Sequence, residues 1–507
     1  MKTKKMNKVF VWVTTLAFLG CTNLEIEQTD SVFTTLSGEF TGVEAASSLE
    51  SLYNSVRSQI ETDGNLYTLQ EISSDEALVP TRGTDWGDNG VYRVLQGHTW
   101  SPTHSNVKTV WNDQNQNVFN ATAIIDSRSN PAAQQVAEAK FIRAFSMFWL
   151  IDLYGQVPFR TPDEGPDVNP SIMTRAEAFD FAVKDLNEAL PDLSDSTSFD
   201  GLNKATKAAA RYLLAKFYLN KFIFTGSATA DSGDMAQVIS LVDAIKAQGF
   251  DLQAGYFDIF KPAPDTETIF FTTSSAGNMI WNGLHYNMVV PDQSGGWNGF
   301  TTLAEFYDSF EGDPNINVPG SGQEERRGFV PTDGSHFGIG YGFLIGQQYD
   351  AGGNPLKDRQ GNPLFFTKDF AGGLLVNNET TGIRVLKYNP DEGAFVNHKV
   401  VFRYADAHLM KAEAMMRSGG DPTALVNELR VLREATPIGS VTESDLLAER
   451  GRELYNEYWR RNDLIRFGKF IEPWALKEAT GDPTKNLFPI PSSALITNPN
   501  LIQNEGY

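Results

Sequence analysis

Three tryptophans in polar, glycine-rich contexts are the residues of this chain best suited to ligand binding. Trp86 lies in TDWGD, Trp281 in IWNG and Trp297 in GGWNG, which are loop-like contexts. Packing of a helical core does not explain an indole there, and a flat indole can cover the apolar C–H face of a sugar ring. The residues near enough in sequence to bond the hydroxyl rim of that sugar are Arg82, Asp88, Asn89, Asn282 and Asn298. The alternative is that each indole packs its own loop onto the scaffold.

Catalytic signatures are missing from the sequence. The Gly468-Lys469 pair is followed by Phe470, so it is not a phosphate-binding P-loop, and neither a Gly-x-Ser-x-Gly elbow nor a His-Glu-x-x-His zinc helix occurs. The 63 acidic residues allow many accidental carboxylate pairs, but no spacing points to the pair that a glycosidase needs. The sequence therefore predicts binding without catalysis, cofactor or metal, and a glycoside hydrolase is kept as an alternative.

The N-terminus has the pattern of an export signal that ends at a thiol. Four lysines within the first eight residues precede an apolar stretch over residues 9–20, and Cys21, the only cysteine, follows directly. Twelve apolar residues are too few to span a bilayer, whereas a cysteine at this point can be cut free and lipid-modified. We therefore predict a signal peptide over residues 1–20 and a lipid anchor on Cys21. The alternative is an ordinary signal peptide with a cysteine near its cleavage point.

The overall charge excludes nucleic acid as a partner. The formal net charge is −21, which is the wrong sign for an electrostatic contact with phosphates. With 41% hydrophobic residues the chain can build a large core, and a single cysteine excludes an intrachain disulfide. No segment after the export signal has 18 uninterrupted apolar residues, so the predicted lipid would be the only attachment to a membrane.

Helical periodicity places the loops on a mainly α-helical scaffold. Stripes of alternating small and large residues occur over about residues 40–248 and 400–470, and they are typical of stacked tetratricopeptide-like helical pairs. Thr174 and Glu177 form a capping-box pattern, and Asn203 is predicted to cap a later helix. In the C-terminal helices, Arg450 with Glu453 and Glu457 with Arg460 have the spacing of surface ion pairs.

The middle of the chain, about residues 249–399, differs from these helical parts. It is rich in glycine and proline, and Gly-Asn-Pro-Leu occurs twice, at residues 353–356 and 361–364, which predicts two successive turns. We predict a single domain over residues 21–507, with this segment as a loop-rich, partly β ligand-binding insertion and residues 471–507 as an extended tail. Long loops on a rigid scaffold are where binding residues are commonly found.

Four ordered blocks of sequence resemble the signatures of one family. They are KFIRAFSMFWLIDLYGQVP at residues 140–158, RYADAHLMKAEA at 403–414, ERGREL with WRRNDLIRFG at 449–454 and 459–468, and LFPIP with NPNLIQNEGY at 487–491 and 498–507. These blocks resemble the SusD/RagB family of outer-membrane nutrient-uptake lipoproteins. With the lipid-type N-terminus, the resemblance covers essentially the whole chain.

The resemblance implies a helical fold of tetratricopeptide-like pairs, and a SusC-type TonB-dependent channel of the outer membrane as partner. It also implies binding of an oligosaccharide or polysaccharide without catalysis, through an arc of aromatic side chains. The spacing of Trp86 and Asn89 is similar to part of such an arc, so these two are the first candidates for ligand contact. Trp297 and Trp281 come next, followed by Arg82 and Tyr341.

Three alternatives to glycan delivery stay open at this stage. The cargo could be a peptide or another nutrient, the protein could be a glycoside hydrolase, or it could be a structural adaptor of the channel without a ligand of its own. The acidic run that often follows the lipidated cysteine in exported family members is reduced here to Glu25 and Glu27. Lipid anchoring in the outer membrane with the protein facing the exterior is therefore an expectation from the resemblance.

Overall fold

Helices account for most of the regular structure. The computed structural model describes residues 40–62, 64–165, 167–393, 395–396 and 398–507, so the predicted signal peptide and Cys21 lie outside the described residues. The helices are α1 (Ala45–Glu61), α2 (Val91–Gln96), α3 (Ser105–Ile125), α4 (Ala133–Leu153), α5 (Arg175–Ala189), α6 (Lys207–Phe224), α7 (Ser232–Ala247), α8 (Gly277–Gly283), α9 (Ala304–Asp308), α10 (Tyr404–Arg417), α11 (Thr423–Leu432), α12 (Glu443–Leu454), α13 (Arg460–Arg466) and α14 (Ser492–Thr497).

The strands are short and form small antiparallel sheets. They are β1 (Ala77–Leu78), β2 (Gln156–Phe159), β3 (Ser171–Thr174), β4 (Thr268–Thr272), β5 (Thr301–Thr302), β6 (Gly328–Phe329), β7 (Tyr341–Leu344), β8 (Gly346–Gln347), β9 (Phe365–Phe366), β10 (Arg384–Leu386) and β11 (Lys399–Arg403). The pairs are β1 with β5, β2 with β3, β4 with β11 and β8 with β9, and the one three-stranded sheet has the order β10-β7-β6. Most of these strands lie in the middle segment, and the prediction of a mainly α fold is confirmed.

The helices of the scaffold pack against their neighbours in sequence. α3 packs on α4, α4 on α5, α5 on α6 and α6 on α7, and α10 then packs against both α7 and α12. The indoles of Trp149 on α4 and Trp459 before α13 stack at 5.2 Å, so the N-terminal and C-terminal helices share one core. Within the described residues, no helix is long and apolar enough to cross a bilayer.

Local signals at the helix ends account for some of these boundaries. The amide of Thr174 donates to the Glu177 carboxylate at 2.8 Å, and the Glu177 amide donates to Oγ1 of Thr174 at 3.3 Å, which confirms the capping box of α5. Asn203 does not cap α6. That helix begins three residues later than this prediction implies, because Oγ1 of Thr206 accepts from the Ala209 amide at 3.1 Å.

The predicted surface ion pairs are wrong, because all four side chains are buried. Arg450 bonds Asp406 at 2.7 Å and Asp463 at 2.8 Å, and Arg460 bonds Asp75 at 2.6 Å. α12 and the start of α13 are enclosed by other segments of the chain, so charges that would face water on an isolated helix face one another instead. Arg450 and Glu453 do lie in α12, but Glu457 lies in the turn between α12 and α13, so helical spacing does not relate it to Arg460.

Glu453 lies at the centre of this buried network of charges. Its carboxylate accepts hydrogen bonds from Arg403 at 2.7 Å, Arg433 at 2.9 Å and Arg326 at 3.0 Å. Burial raises the pKa of Glu453, but Arg433, Arg403 and Arg326 outweigh burial and hold the pKa well below its usual range. Glu453 is therefore ionised at neutral pH, and its charge is matched by guanidiniums from three distant segments of the chain.

We predict that Glu453→Ala destabilises the protein by about 3–5 kcal/mol, because it leaves buried guanidiniums without their shared carboxylate. Urea unfolding followed by circular dichroism measures this change. The control is Lys184→Ala, which removes an exposed helical ion pair to Glu188 of 3.7 Å and is expected to leave the unfolding midpoint unchanged. Equal midpoints for the two variants would contradict the central role of Glu453.

Candidate functional site

Trp86 and Trp297 come from distant parts of the chain and meet where the turn at residues 85–89 packs on residues 297–300. These two segments are called the loop cluster. Nε1 of Trp86 donates to the carbonyl oxygen of Trp297 at 2.7 Å. The half-buried indole of Trp86 lies 5.8 Å from the ring of Tyr92 and 6.1 Å from that of Phe300. It also lies directly over Gly299, where an added Cβ would be only 2.3 Å from the indole ring. The absence of a side chain at this glycine makes the close approach possible.

The turn that carries Trp86 has an unusual backbone. The φ angles of Trp86, Asp88 and Asn89 are 58°, 39° and 50°, which lie in the left-handed region. Asn and Asp tolerate this region, whereas a bulky residue such as Trp adopts it only when its surroundings enforce it. Arg93 supplies part of that constraint by donating to the carbonyl oxygen of Gly87 at 3.1 Å. Asn89 is exposed beside Trp86.

Trp297 presents its ring to solvent from a fixed backbone. Its side chain is 45% exposed, yet its amide donates to the carbonyl oxygen of Trp281 at 2.5 Å. The next amide, of Asn298, donates to the carbonyl oxygen of Leu284 at 2.7 Å. A large aromatic side chain that is exposed on a backbone held in this way can stack on a ligand with little loss of conformational freedom.

Trp281 differs from the prediction of a loop position. It lies in α8, and its half-buried ring stacks on Phe395 at 5.3 Å with an angle of 27° between the rings. Its contribution to the loop cluster is the backbone carbonyl that holds Trp297. The short run of residues around Trp281 contains too little periodicity for this helix to be recognised from sequence.

Arg82 was expected to bond a ligand, but the structure places it below the site. It is 2% exposed, and its guanidinium donates to the carbonyl oxygens of Asn378 at 3.1 Å, Gly299 at 3.4 Å and Thr381. Burial lowers the pKa of Arg82 to about 9. Arg82 thus orders the backbone beneath the tryptophans instead of forming the polar rim.

Arg384 also orders the backbone beneath the tryptophans, and the sequence did not point to this residue. It donates to Oδ1 of Asn298 at 3.1 Å, to the carbonyl oxygen of Thr381 at 2.9 Å and to that of Glu379 at 2.8 Å. Burial and the nearby Arg82 lower its pKa well below the usual range. Two buried arginines without carboxylate partners among their described bonds therefore hold residues 378–382 against the Trp297 segment.

Tyr341 is buried in β7 and does not join this cluster. Its described ring contacts are with Phe257 at 5.1 Å, His336 at 5.2 Å and Phe329 at 5.7 Å, and none is with a tryptophan. Burial and the neighbouring Glu392 raise the pKa of its hydroxyl. The resemblance had suggested Tyr341 as a ligand contact, but in the structure it packs the three-stranded sheet.

A charged and aromatic edge beside Trp86 was also missed. The hydroxyl of Tyr286 donates to Oδ2 of Asp85 at 2.9 Å, and the guanidinium of Arg359 lies 3.9 Å from the centre of the Tyr286 ring. Arg359 also bonds Asp85 and Glu379, each at 2.5 Å, and is 47% exposed. The hydrogen bond from Arg359 lowers the pKa of Asp85, and burial opposes it. These ionised and hydroxyl groups meet at Asp85, the residue that precedes Trp86.

The repeated Gly-Asn-Pro-Leu turn is the sequence feature that could have pointed to Arg359, which lies just before its second copy. Oδ1 of Asp358 accepts from the amides of Gln360 at 2.9 Å and Asn362 at 2.8 Å, and Asp350 bonds the first copy of the turn in the same way. The two predicted turns are confirmed. Arg359 follows Asp358 in the second turn, so the turn carries its side chain to Tyr286. Among the described residues, no group of three or more His, Cys, Asp or Glu side chains is arranged to hold a metal ion.

Comparison with known proteins agrees with this architecture. A family model described as "Starch-binding associating with outer membrane" matches residues 26–219, and one described as "SusD family" matches residues 266–507. Starch-binding protein SusD of Bacteroides thetaiotaomicron is 25% identical over 486 residues, covering 87% of this chain and 85% of that protein.

Solved structures share the fold. A SusD-like protein from Bacteroides fragilis aligns with a TM-score of 0.71 at 19% identity, covering 90% of this chain and 96% of that one. A structure described as "Laminarin binding SusD-like protein" aligns with a TM-score of 0.64 at 22% identity, covering 92% and 99%.

Members of the SusD-like family are carbohydrate-binding proteins rather than enzymes, and this chain has their mainly helical fold. The two family models together match most of the chain, and the chain belongs to the SusD/RagB family. The description of the first model associates that family with the outer membrane.

We predict that Gly299→Ala displaces the indole of Trp86, because the added Cβ would overlap its ring. Fluorine NMR of protein labelled with 5-fluorotryptophan measures this, with the Trp86 resonance assigned from Trp86→Phe. Gly87→Ala is the control, since a Cβ there meets no atom within 4 Å and its φ of −68° suits alanine. An unshifted Trp86 resonance in Gly299→Ala would contradict the packing described above.

Proposed function

We propose that this protein binds an oligosaccharide or polysaccharide at the bacterial cell surface and delivers it to a SusC-type TonB-dependent channel of the outer membrane. The observation that carries the proposal is the exposed indole of Trp297 on a fixed backbone, next to the half-buried indole of Trp86. Apolar C–H faces of sugar rings stack on such indoles. The names of relatives, one starch-binding and one laminarin-binding, support a glycan as the ligand.

Polar groups around these indoles fit the hydroxyl rim of a sugar. Asn89 is exposed on the turn that carries Trp86, and Tyr286 with Arg359 lines the edge at Asp85. We assign direct ligand contact to Trp86, Asn89 and Trp297, and we add Tyr286 and Arg359. Arg82 and Tyr341 contribute through packing because both side chains are buried, and Trp281 does so because its ring is stacked on Phe395.

Delivery to a channel requires that the protein stay at the membrane. A lipid on Cys21 would hold it there, and the segment between Cys21 and Phe40, the first described residue, would connect the anchor to the helical scaffold. The family description, which names the outer membrane, supports this location. We propose that the protein faces the exterior, where a glycan can reach the loop cluster.

Trp297→Ala should weaken glycan binding by about tenfold or more, which corresponds to about 1.4 kcal/mol, because the variant removes an exposed stacking surface. Isothermal titration calorimetry with maltoheptaose and laminarihexaose, followed by a wider glycan array, measures the affinity. Because the ring is exposed, the stability of the variant should equal that of the wild type.

The control for this experiment is Val431→Ala, which truncates an exposed side chain on α11, outside the loop cluster. Unchanged glycan affinity in Trp297→Ala would overturn the assigned site. Binding of peptides but of no glycan on the array would favour the alternative cargo, and steady release of cleaved oligosaccharide would favour a hydrolase.

Cys21→Ala should move the protein from the membrane fraction to the soluble fraction, because it removes the proposed point of lipid attachment. Fractionation of cells and mass spectrometry of the mature N-terminus measure the outcome. Protease treatment of intact cells tests exposure to the exterior, and purification of the native protein from solubilised membranes tests for the channel. A soluble wild-type protein would contradict the lipid anchor without affecting the glycan site.

A further inference from the structure

A large cleft lies on the helical scaffold, apart from the loop cluster. It has a volume of about 890 Å³ and lies between α3, the hairpin of β2 and β3, and the C-terminal segment around α14. None of its lining residues belongs to the loop cluster. Clefts of roughly 300–1,000 Å³ are the size at which proteins hold small ligands or a few units of a polymer.

Side-chain amides supply most of the polar groups that line this cleft. Its amide residues are Asn112, Asn115, Gln116, Asn120, Asn169 and Asn498. Among the described residues that line the cleft, Arg160 is the one charged residue and none is a carboxylate. An amide carries both donors and an acceptor, so a set of amides can bond vicinal hydroxyl groups, which are also donors and acceptors at once. The cleft thus suits a neutral, polyhydroxylated ligand.

Several of these amides have bonding capacity left for a ligand. Asn112 and Asn169 are exposed, and neither side chain has a hydrogen bond within the described part of the chain. Nε2 of Gln116 donates to Oδ1 of Asn120 at 2.8 Å, which leaves the Gln116 oxygen and the Asn120 nitrogen for other partners. Amides that face a cleft with unused donors and acceptors bind water or a polar ligand.

Aromatic surfaces lie between the amides. Phe119 and Phe159 are half-buried in the wall, and the guanidinium of Arg160 lies 5.0 Å from the centre of the Phe119 ring. Trp111 lies at the base, where its ring meets that of Tyr154 edge to face at 5.1 Å. A lining that contains both aromatic rings and amide groups suits the C–H faces and hydroxyl rims of sugar units.

The cleft is preformed, because hydrogen bonds join its walls. Nδ2 of Asn498 donates to the carbonyl oxygen of Pro170 at 3.2 Å, and Nδ2 of Asn500 donates to the same oxygen at 3.1 Å. The amide of Ile502 donates to Oε1 of Gln156 at 3.2 Å. The C-terminal segment is therefore tied to the β2–β3 hairpin, and a ligand would not have to order these walls on binding.

We propose that this cleft is a second binding site for a neutral saccharide chain. The inference rests on the proposed function only for the class of ligand, since the cleft and the loop cluster share no residue. The lone arginine and the lack of a carboxylate favour a neutral sugar over a charged peptide. Two sites on one protein would hold a long polymer more tightly than a short oligosaccharide, because the second contact becomes intramolecular.

The test uses Asn112→Ala combined with Asn120→Ala, both on α3, where alanine favours the helix. Titration calorimetry with maltoheptaose and laminarihexaose should give two sites per chain for the wild type and one for this double variant. In affinity gel electrophoresis with soluble starch or laminarin, the double variant should lose about tenfold or more of the apparent affinity for the polymer. Asn187→Ala, an exposed amide on α5 that does not line the cleft, is the matched control.

The experiment tests the loop site and the cleft independently of each other. One site per chain that Trp297→Ala weakens and the cleft variant leaves unchanged would overturn the cleft proposal alone. One site that only the cleft variant removes would support the cleft and overturn the loop site. Binding of neither oligosaccharide nor polymer would overturn the cleft as a site for these neutral glucans, and preferential binding of a peptide in the cleft would replace the sugar assignment.

Discussion

The buried charge network around Glu453 is the constraint on which the rest of the structure depends. It brings Arg326, Arg403 and Arg433 to one carboxylate, although these residues lie 127, 50 and 20 positions away in sequence. Each buried charge is costly alone and acceptable only when its partners are all in place. The network therefore joins the middle segment and the C-terminal helices in one arrangement, and it selects against alternative packings that would leave a charge unmatched.

The loop cluster is connected to this network through the three-stranded sheet. Arg326 precedes β6 at one edge of that sheet, and Lys387, which bonds Glu457, follows β10 at the other edge. β10 begins with Arg384, whose guanidinium holds Asn298 and the carbonyls of Glu379 and Thr381. The Trp297 backbone is held by the carbonyls of Trp281 and Leu284, and Arg384 ties the neighbouring Asn298 to β10. A chain rich in loops can in this way present an indole in one orientation.

The two proposed binding surfaces offer different chemistry to a ligand. The loop cluster offers exposed indoles with an ionised edge at Asp85 and Arg359, whereas the cleft on α3 offers amides with a single arginine. The loop cluster is suited to stacking of its exposed indole on a sugar ring, and the cleft is suited to holding a few sugar units. Their placement on separate elements agrees with the proposal that a long polymer contacts the protein at two points.

Much of the scaffold was predictable because its signals are local. The capping box at Thr174, the turn at Asp358 and the apolar stripe of α4 each depend on residues within a few positions of one another, and the family blocks identify the fold. The tertiary structure alone decided that Arg450 and Glu453 are buried, that Trp281 packs on Phe395 while Trp297 stays exposed, and that Arg82 bonds carbonyls below the site. The physical reason is distance along the chain. Burial and ion pairing depend on segments that meet only after folding. Residue type and spacing therefore indicated most scaffold helices and the candidate tryptophans, but not the helix at Trp281 or which indole stays exposed.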